Sequence, residues 1–202
     1  MGTSSLPARP ARDRPTRNHT HLTSPIRDHR PPDASIVTRA ARELLIALGG
    51  DLESEGLRDT PRRMADAYLE LLTPEPFHMT SFLNDEGYDE LVVVRDIPFR
   101  SLCMHHVLPF HGTAHVAYLP ADRILGISKL ARVVDLFAHG LQLQERLTVQ
   151  IAGLLERELQ PKGVGVVIEA EHLCMSLRGV QKPGAKTITS ALSPSAPTSA
   201  LH

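Results

Sequence analysis

The stretch from Leu143 to Ala170 constrains the fold more than any other part of the chain. Leu143, Leu147, Ile151, Leu155 and Leu159 recur every four residues, an apolar stripe that a helix must lay against a core. Pro161-Lys162-Gly163 breaks that helix. Val164, Val166, Ile168 and Ala170 then alternate as a strand with one buried face, and His172 and Cys174 continue the same parity. A long helix and a long strand separated by a three-residue break must pack on one another. That pairing asks for a sheet covered by helices.

The preceding elements fit the same plan. From Asp33 a helix begins with Ile36, Ala40, Leu44 and Leu48 on one face, and Gly49-Gly50 stops it. Thr60-Pro61, a cap followed by proline, opens a second helix through Met64, Ala67, Tyr68 and Leu72. Leu91 to Ile97 is β-branched and reads as a strand. His111 to Leu119 alternates, turns at Pro120-Ala121-Asp122 and continues from Ile124 to Ile127, which predicts a hairpin. Ser128 caps a helix reaching His139, ended by Gly140. The order of elements predicts an α+β protein with an antiparallel sheet.

Residues 1–32 differ in composition. They hold six of the sixteen prolines, and six arginines against two aspartates, a net +4 that leaves −5 for the remainder of a chain whose total is −1. So few apolar residues cannot offset the ordering entropy, so this segment is expected to be a disordered basic tail. An organelle transit peptide is the competing reading, but its helix would be broken by the prolines. Residues 193–202, low in complexity, are likewise expected to be disordered. Residues 33–192 then form a single domain. The near-balanced charge argues against a nucleic-acid or membrane-surface binder. No apolar run reaches the roughly 18 residues of a spanning helix, and no secretory h-region opens the chain, so a cytoplasmic protein is expected.

Four clusters carry chemistry. Cys103 and His106 stand three apart in Ser101-Leu-Cys-Met-His-His, and His172-Leu-Cys174 ends the predicted strand. Two thiolates and a nearby imidazole suit a soft cation with an open coordination position, leaving other histidines to move protons. In an extended segment only one of His105 and His106 faces such a cation; His106 is favoured, though spacing does not settle it. A lone C-x-x-H such as Cys103 to His106 often arises by chance, Cys174 alone also reads as a small buried hydrophobe, and a disulfide between the two would need an oxidising compartment. The third cluster, Ser128, Lys129 and Arg132 in a first helical turn, offers an anion site, with Arg178 as a further fork; a merely solvated pair is the bland alternative. The fourth, Gln144-Glu145, opens the striped helix. There a glutamate suits the helix dipole, and it can also accept the paired N–H donors of a guanine edge.

The segments SLCMHHVLPFHGTAHVAYLP, GISKLARVV, QLQERLT and EHLCMSLRGVQKPGAKTITS, in this order and spacing, resemble the signature blocks of the GTP cyclohydrolase I family. The resemblance runs from about Leu44 to Leu192. It implies the tunnelling fold (T-fold), an antiparallel sheet with two antiparallel helices on one side, preceded by N-terminal helices. It implies a homodecamer with active sites where subunits meet, and the conversion of GTP and water to 7,8-dihydroneopterin triphosphate and formate, using a zinc-bound water, as the first step of folate and pterin synthesis. By the same resemblance Cys103, His106 and Cys174 are the zinc ligands, and His105 and His172 handle protons. Gln144 and Glu145 recognise guanine, while Ser128, Lys129, Arg132 and Arg178 surround the triphosphate.

Two departures from the family pattern stand out. Met104 replaces the glutamate usual between the cysteine and the two histidines, which removes a carboxylate beside the site. Ser193 to His202 replaces the helical end usual in the family. Met104 leaves open a second reading, a catalytically weakened paralog that binds GTP and forms rings.

Overall fold

The computed structural model describes residues 19–22 and 32–192. The expected tails at 1–18, 23–31 and 193–202 lie outside the described residues. Within the N-terminal segment expected to lack order, however, His19–Leu22 forms a strand (β1). It pairs antiparallel with β2, Phe77–Leu83. Backbone hydrogen bonds to an open sheet edge do not depend on apolar side chains, so composition gave no sign of this strand.

Asp33 caps the first helix, α1 (Ala34–Ala47), its carboxylate accepting from the amides of Ser35 and Ile36. The helix stops at Gly49, whose φ of 87° suits glycine. The face that α1 buries differs from the expected one. Ala41 is buried, with Val37 and Leu45 partly so, whereas Ile36, Ala40, Leu44 and Leu48 are all exposed. Two apolar stripes lie side by side on this helix, and α2 (Thr60–Leu72) covers only one of them. In α2 Thr60 is itself the first helical residue, one position inside the expected cap.

The main sheet has five strands in the order β6-β3-β4-β7-β8. They are β3 (Val92–Cys103), β4 (Pro109–Leu119), β6 (Leu141–Gln142), β7 (Gly163–His172) and β8 (Lys186–Leu192). All neighbours run antiparallel except β3 and the two-residue β6. Gly112 marks the closest approach of β4 and β7: a Cβ there would meet the Glu169 carbonyl oxygen at 1.9 Å.

The hairpin expected from 111–127 is not formed. β5 (Arg123–Leu125) leaves the main sheet and pairs with β2. Both sides of β4 are already taken, by β3 along its length and by β7 from Phe110 to Leu119, so no edge is left for β5. The Tyr118 hydroxyl still ties the two segments, accepting from the Leu125 amide at 2.9 Å.

Helices α3 (Ser128–Ala138) and α4 (Gln144–Leu159) pack against the same sheet, α3 on β3 and α4 on β7 and β8. The stripe of α4 is buried as expected: Leu147, Ile151 and Leu155 are fully enclosed with Val164, Val166 and Ile168 of β7. This is the α+β architecture with helices on an antiparallel sheet that the sequence predicts. Among the described residues no helix is long and apolar enough to cross a membrane.

Candidate active site

The site forms where β3 and β7 end. Cys103 is the last residue of β3, and the chain turns back at once into β4. The amides of His106 and Val107 both donate to the Cys103 carbonyl, at 3.3 and 2.8 Å, and the Cys103 amide donates to Leu108. The turn holds Val107 at φ 55°, a conformation that costs a β-branched residue energy and marks a constrained segment. Its effect is to bring His106 beside Cys103, with Nδ1 3.8 Å from Sγ. The segment is a turn and not the extended run used to weigh the two histidines. His105 lies roughly edge-on to His106, ring centres 6.2 Å apart.

Cys174 arrives from the other side. It does not continue the strand, because β7 ends at His172 and Leu173–Ser176 forms one helical turn, α5. That turn swings Cys174 toward Cys103. The ligand atoms of Cys103, His106 and Cys174 all lie within 4.8 Å of one another. Both cysteines are free thiols. Burial and the adjacent Cys103 push the Cys174 thiol up, while Arg178 opposes them. Two sulfurs and an imidazole nitrogen at this separation are a donor set for a soft or borderline cation.

His172 stands next to this group under tight control. Its ring stacks on Phe110, centres 4.5 Å apart and planes within 2°. Its Nε2 lies 2.8 Å from Gln144 Oε1. The Gln144 amide nitrogen donates to the carbonyls of Ile168 (3.0 Å) and Thr187 (2.9 Å). Carbonyls only accept, so the amide can face only one way and its oxygen must accept from His172. His172 therefore carries its proton on Nε2 and leaves Nδ1 as an acceptor. Burial keeps the imidazole pKa below its usual value, with Glu145 opposing, so the ring is neutral at pH 7.

Gln144 is 2% exposed, and its amide is engaged by His172, two carbonyls and Thr189. It stands behind His172 and offers no free edge to a base. Glu145, one residue on, is exposed at the start of α4 and close enough to His172 to act on it electrostatically.

The basic cluster lies elsewhere in the protomer. Ser128 is exposed and its side chain makes no cap. Lys129 and Arg132 line an open hollow of about 660 Å³ with Phe77, His78 and Thr80, and the Lys129 ammonium sits 5.9 Å from the centre of the Phe77 ring. The other end of α3 is the one near the cysteines, where Ser101 donates to the Gly140 carbonyl and Met104 to that of Gln142. Eleven helical residues separate the ends, roughly 15 Å at the α-helical rise. Arg178, by contrast, belongs to the cysteine end, in the loop after α5.

Sequence reasoning missed Phe110, Thr148 and Thr189. Thr189 bonds both Gln144 and Thr148, completing the frame around His172. Their signal was weak: a phenylalanine after proline, a threonine within a helix and one on a strand have ordinary structural readings.

Three donors that could hold a metal ion, with a histidine held in one tautomer beside them, make a site suited to hydrolysis. The chain is a member of the GTP cyclohydrolase I family: the family model of that description matches residues 37–199. It is 52% identical over 185 residues to "GTP cyclohydrolase 1" of Mycolicibacterium vanbaalenii, covering 88% of this chain and 89% of that protein. To "GTP cyclohydrolase 1" of Streptomyces griseus it is 55% identical, over 76% of this chain and 79% of the relative. The relative of the same name from Aquifex aeolicus is 53% identical, over 79% and 87%.

Proposed function

We propose that this chain converts GTP and water to 7,8-dihydroneopterin triphosphate and formate on a zinc ion held by Cys103, His106 and Cys174, at the head of cytoplasmic folate and pterin synthesis. The observation that carries this reading is the convergence of the three donors within 4.8 Å beside a tautomer-locked His172. Zinc in such a three-ligand site supplies Lewis acidity that activates water at neutral pH.

The protein's own groups account for the rest. Glu145 is free to accept the paired N–H donors of guanine, which sets the base against the metal end of the sheet. His172 Nδ1 takes up and returns a proton during opening of the imidazole ring of the base, and His105, exposed on the turn, is the second proton carrier. Arg178 binds the triphosphate from the same end. Ser128 and Lys129 open α3, roughly 15 Å along the helix from its cysteine end, and Arg132, one turn in, is roughly 9 Å from that end within the protomer. That separation supports a site completed by a second copy, in keeping with the homodecamer expected from the family.

Zinc-loaded protein given GTP is expected to release formate and a product that becomes a fluorescent pterin on oxidation. Bound GTP without either product overturns the proposal. His106→Ala is expected to lose zinc, and His105→Ala to keep zinc but lose turnover by about 100-fold or more; the reverse pattern exchanges their roles.

A further inference from the structure

Glu171 neighbours His172 on β7, and by the alternation of a strand its side chain leaves on the opposite face. One of its oxygens, Oε1, accepts from two donors: the hydroxyl of Ser176 at 2.5 Å and the backbone amide of Gly184 at 3.0 Å. Ser176 closes the helical turn that bears Cys174, and its hydroxyl also reaches the His172 carbonyl at 3.3 Å. A single carboxylate oxygen thus grips both ends of the loop from 176 to 184. Arg178 is the cation in that loop placed close enough to Cys174 to influence its thiol.

The loop has little else to hold it. Gly179, Gln181 and Gly184 all have left-handed φ values, of 61°, 49° and 79°, and only the first and last escape the steric cost through having no Cβ. Internal ties are limited to the amides of Gln181 and Ala185 on the carbonyls of Arg178 and Lys182, and Lys182 on that of Met175. Leu177 and Val180 are mostly exposed, so they add little packing among the described residues. Such a path needs an anchor from outside, and Glu171 supplies it. The two donors keep the carboxyl below the usual range, so it stays an ionised acceptor. His111 of β4 and Lys186 of β8 flank it, in register across the sheet.

We infer that Glu171 is a positioning residue, a clasp that fixes the loop from 176 to 184 so that Arg178 is held ready for the triphosphate. The inference rests on the proposed GTP chemistry for the role of Arg178, but the clasp can be read without substrate. Trypsin cuts after arginine. In zinc-loaded full-length protein, Glu171→Ala is expected to speed cleavage after Arg178 by roughly tenfold or more, the scale on which outer supporting bonds act. In turnover, the same variant is expected to raise KM for GTP by about tenfold while kcat stays within about threefold, the pattern of lost binding without lost chemistry.

Glu171→Gln keeps an oxygen that can accept both bonds and is expected to restore both readouts to within about threefold of the parent. Adding Glu171→Ala to Arg178→Ala is expected to raise KM no further, because the clasp acts through Arg178. Ser176→Ala, which removes one arm, serves if Glu171→Ala fails to fold, and is expected to move both readouts in the same direction. Unchanged cleavage, an unchanged KM, Glu171→Gln as damaging as Glu171→Ala, or a fully additive double variant each overturns the clasp. A parent protein that cleaves no GTP overturns the proposed activity instead, and the trypsin comparison still decides the clasp.

Discussion

Helices α1 and α4 carry the same kind of signal and meet opposite fates. Each repeats an apolar residue at near-helical spacing. In α4 the stripe from Leu147 to Leu159 is sealed against β7 and β8. In α1 the stripe from Ile36 to Leu48 faces outward, Leu48 at 75% exposure, and the neighbouring stripe of Val37, Ala41 and Leu45 is the one covered. Periodicity tells which residues share a face. It does not tell what, if anything, lies on that face within one chain.

The sharpest way to break the comparison is to cut into α4. Ile151→Ala leaves a cavity in a fully enclosed position and is expected to cost about 2–5 kcal/mol, measured by urea unfolding. A cost below about 1 kcal/mol would mean that the α4 seam is looser than its burial indicates. At the head of the same helix, Gln144→Leu keeps the volume but strands two carbonyls and frees the His172 ring. It is expected to destabilise by about 1–3 kcal/mol. A loss of turnover by roughly 100-fold should accompany it, larger than the stability change explains.

On α1 the expected effects are smaller and of another kind. Leu44→Ser and Leu48→Ser should change protomer unfolding by no more than about 0.5 kcal/mol, because both side chains already meet solvent. If another copy covers this stripe, native mass measurement will instead show smaller assemblies. Wild-type mass in both variants would leave the stripe uncovered. The least effect is expected at Asp33, where the carboxyl is held below its usual value by the Ser35 hydroxyl and the amides of Ile36 and Ser35. A lowered folded value means the cap contributes above the ordinary carboxylate range and fades as pH falls through it. Protection of the first-turn amides of α1, taken relative to their intrinsic exchange rates, should therefore fall below about pH 4, and Asp33→Ala should abolish that fall.

Much of this was legible in the chain itself. The order of elements, the buried faces of α4 and β7, and the stops at Gly49 and Pro161 follow from local chemistry. The convergence of Cys103 with Cys174 was suggested by their histidine neighbours, but the means was not: a turn at Val107 and a helical turn after His172, neither of which has a periodic pattern. The partner of β5 was illegible because strand pairing is decided by which edges remain open, a property of the whole sheet. The surroundings of Gln144 were illegible for a related reason. Its position at a helix start says that it is polar and near the site, while its 2% exposure depends on β8, more than forty residues away in sequence.

That last contact gives the site an unexpected dependency. β8 is the outermost strand on its side of the sheet, and its Thr187 carbonyl is bonded to the same amide that orients His172. Only one side chain lies between the rim of the sheet and the imidazole. Whatever docks along that rim or pulls it away changes how firmly the proton-carrying ring is aimed, without touching the ring itself.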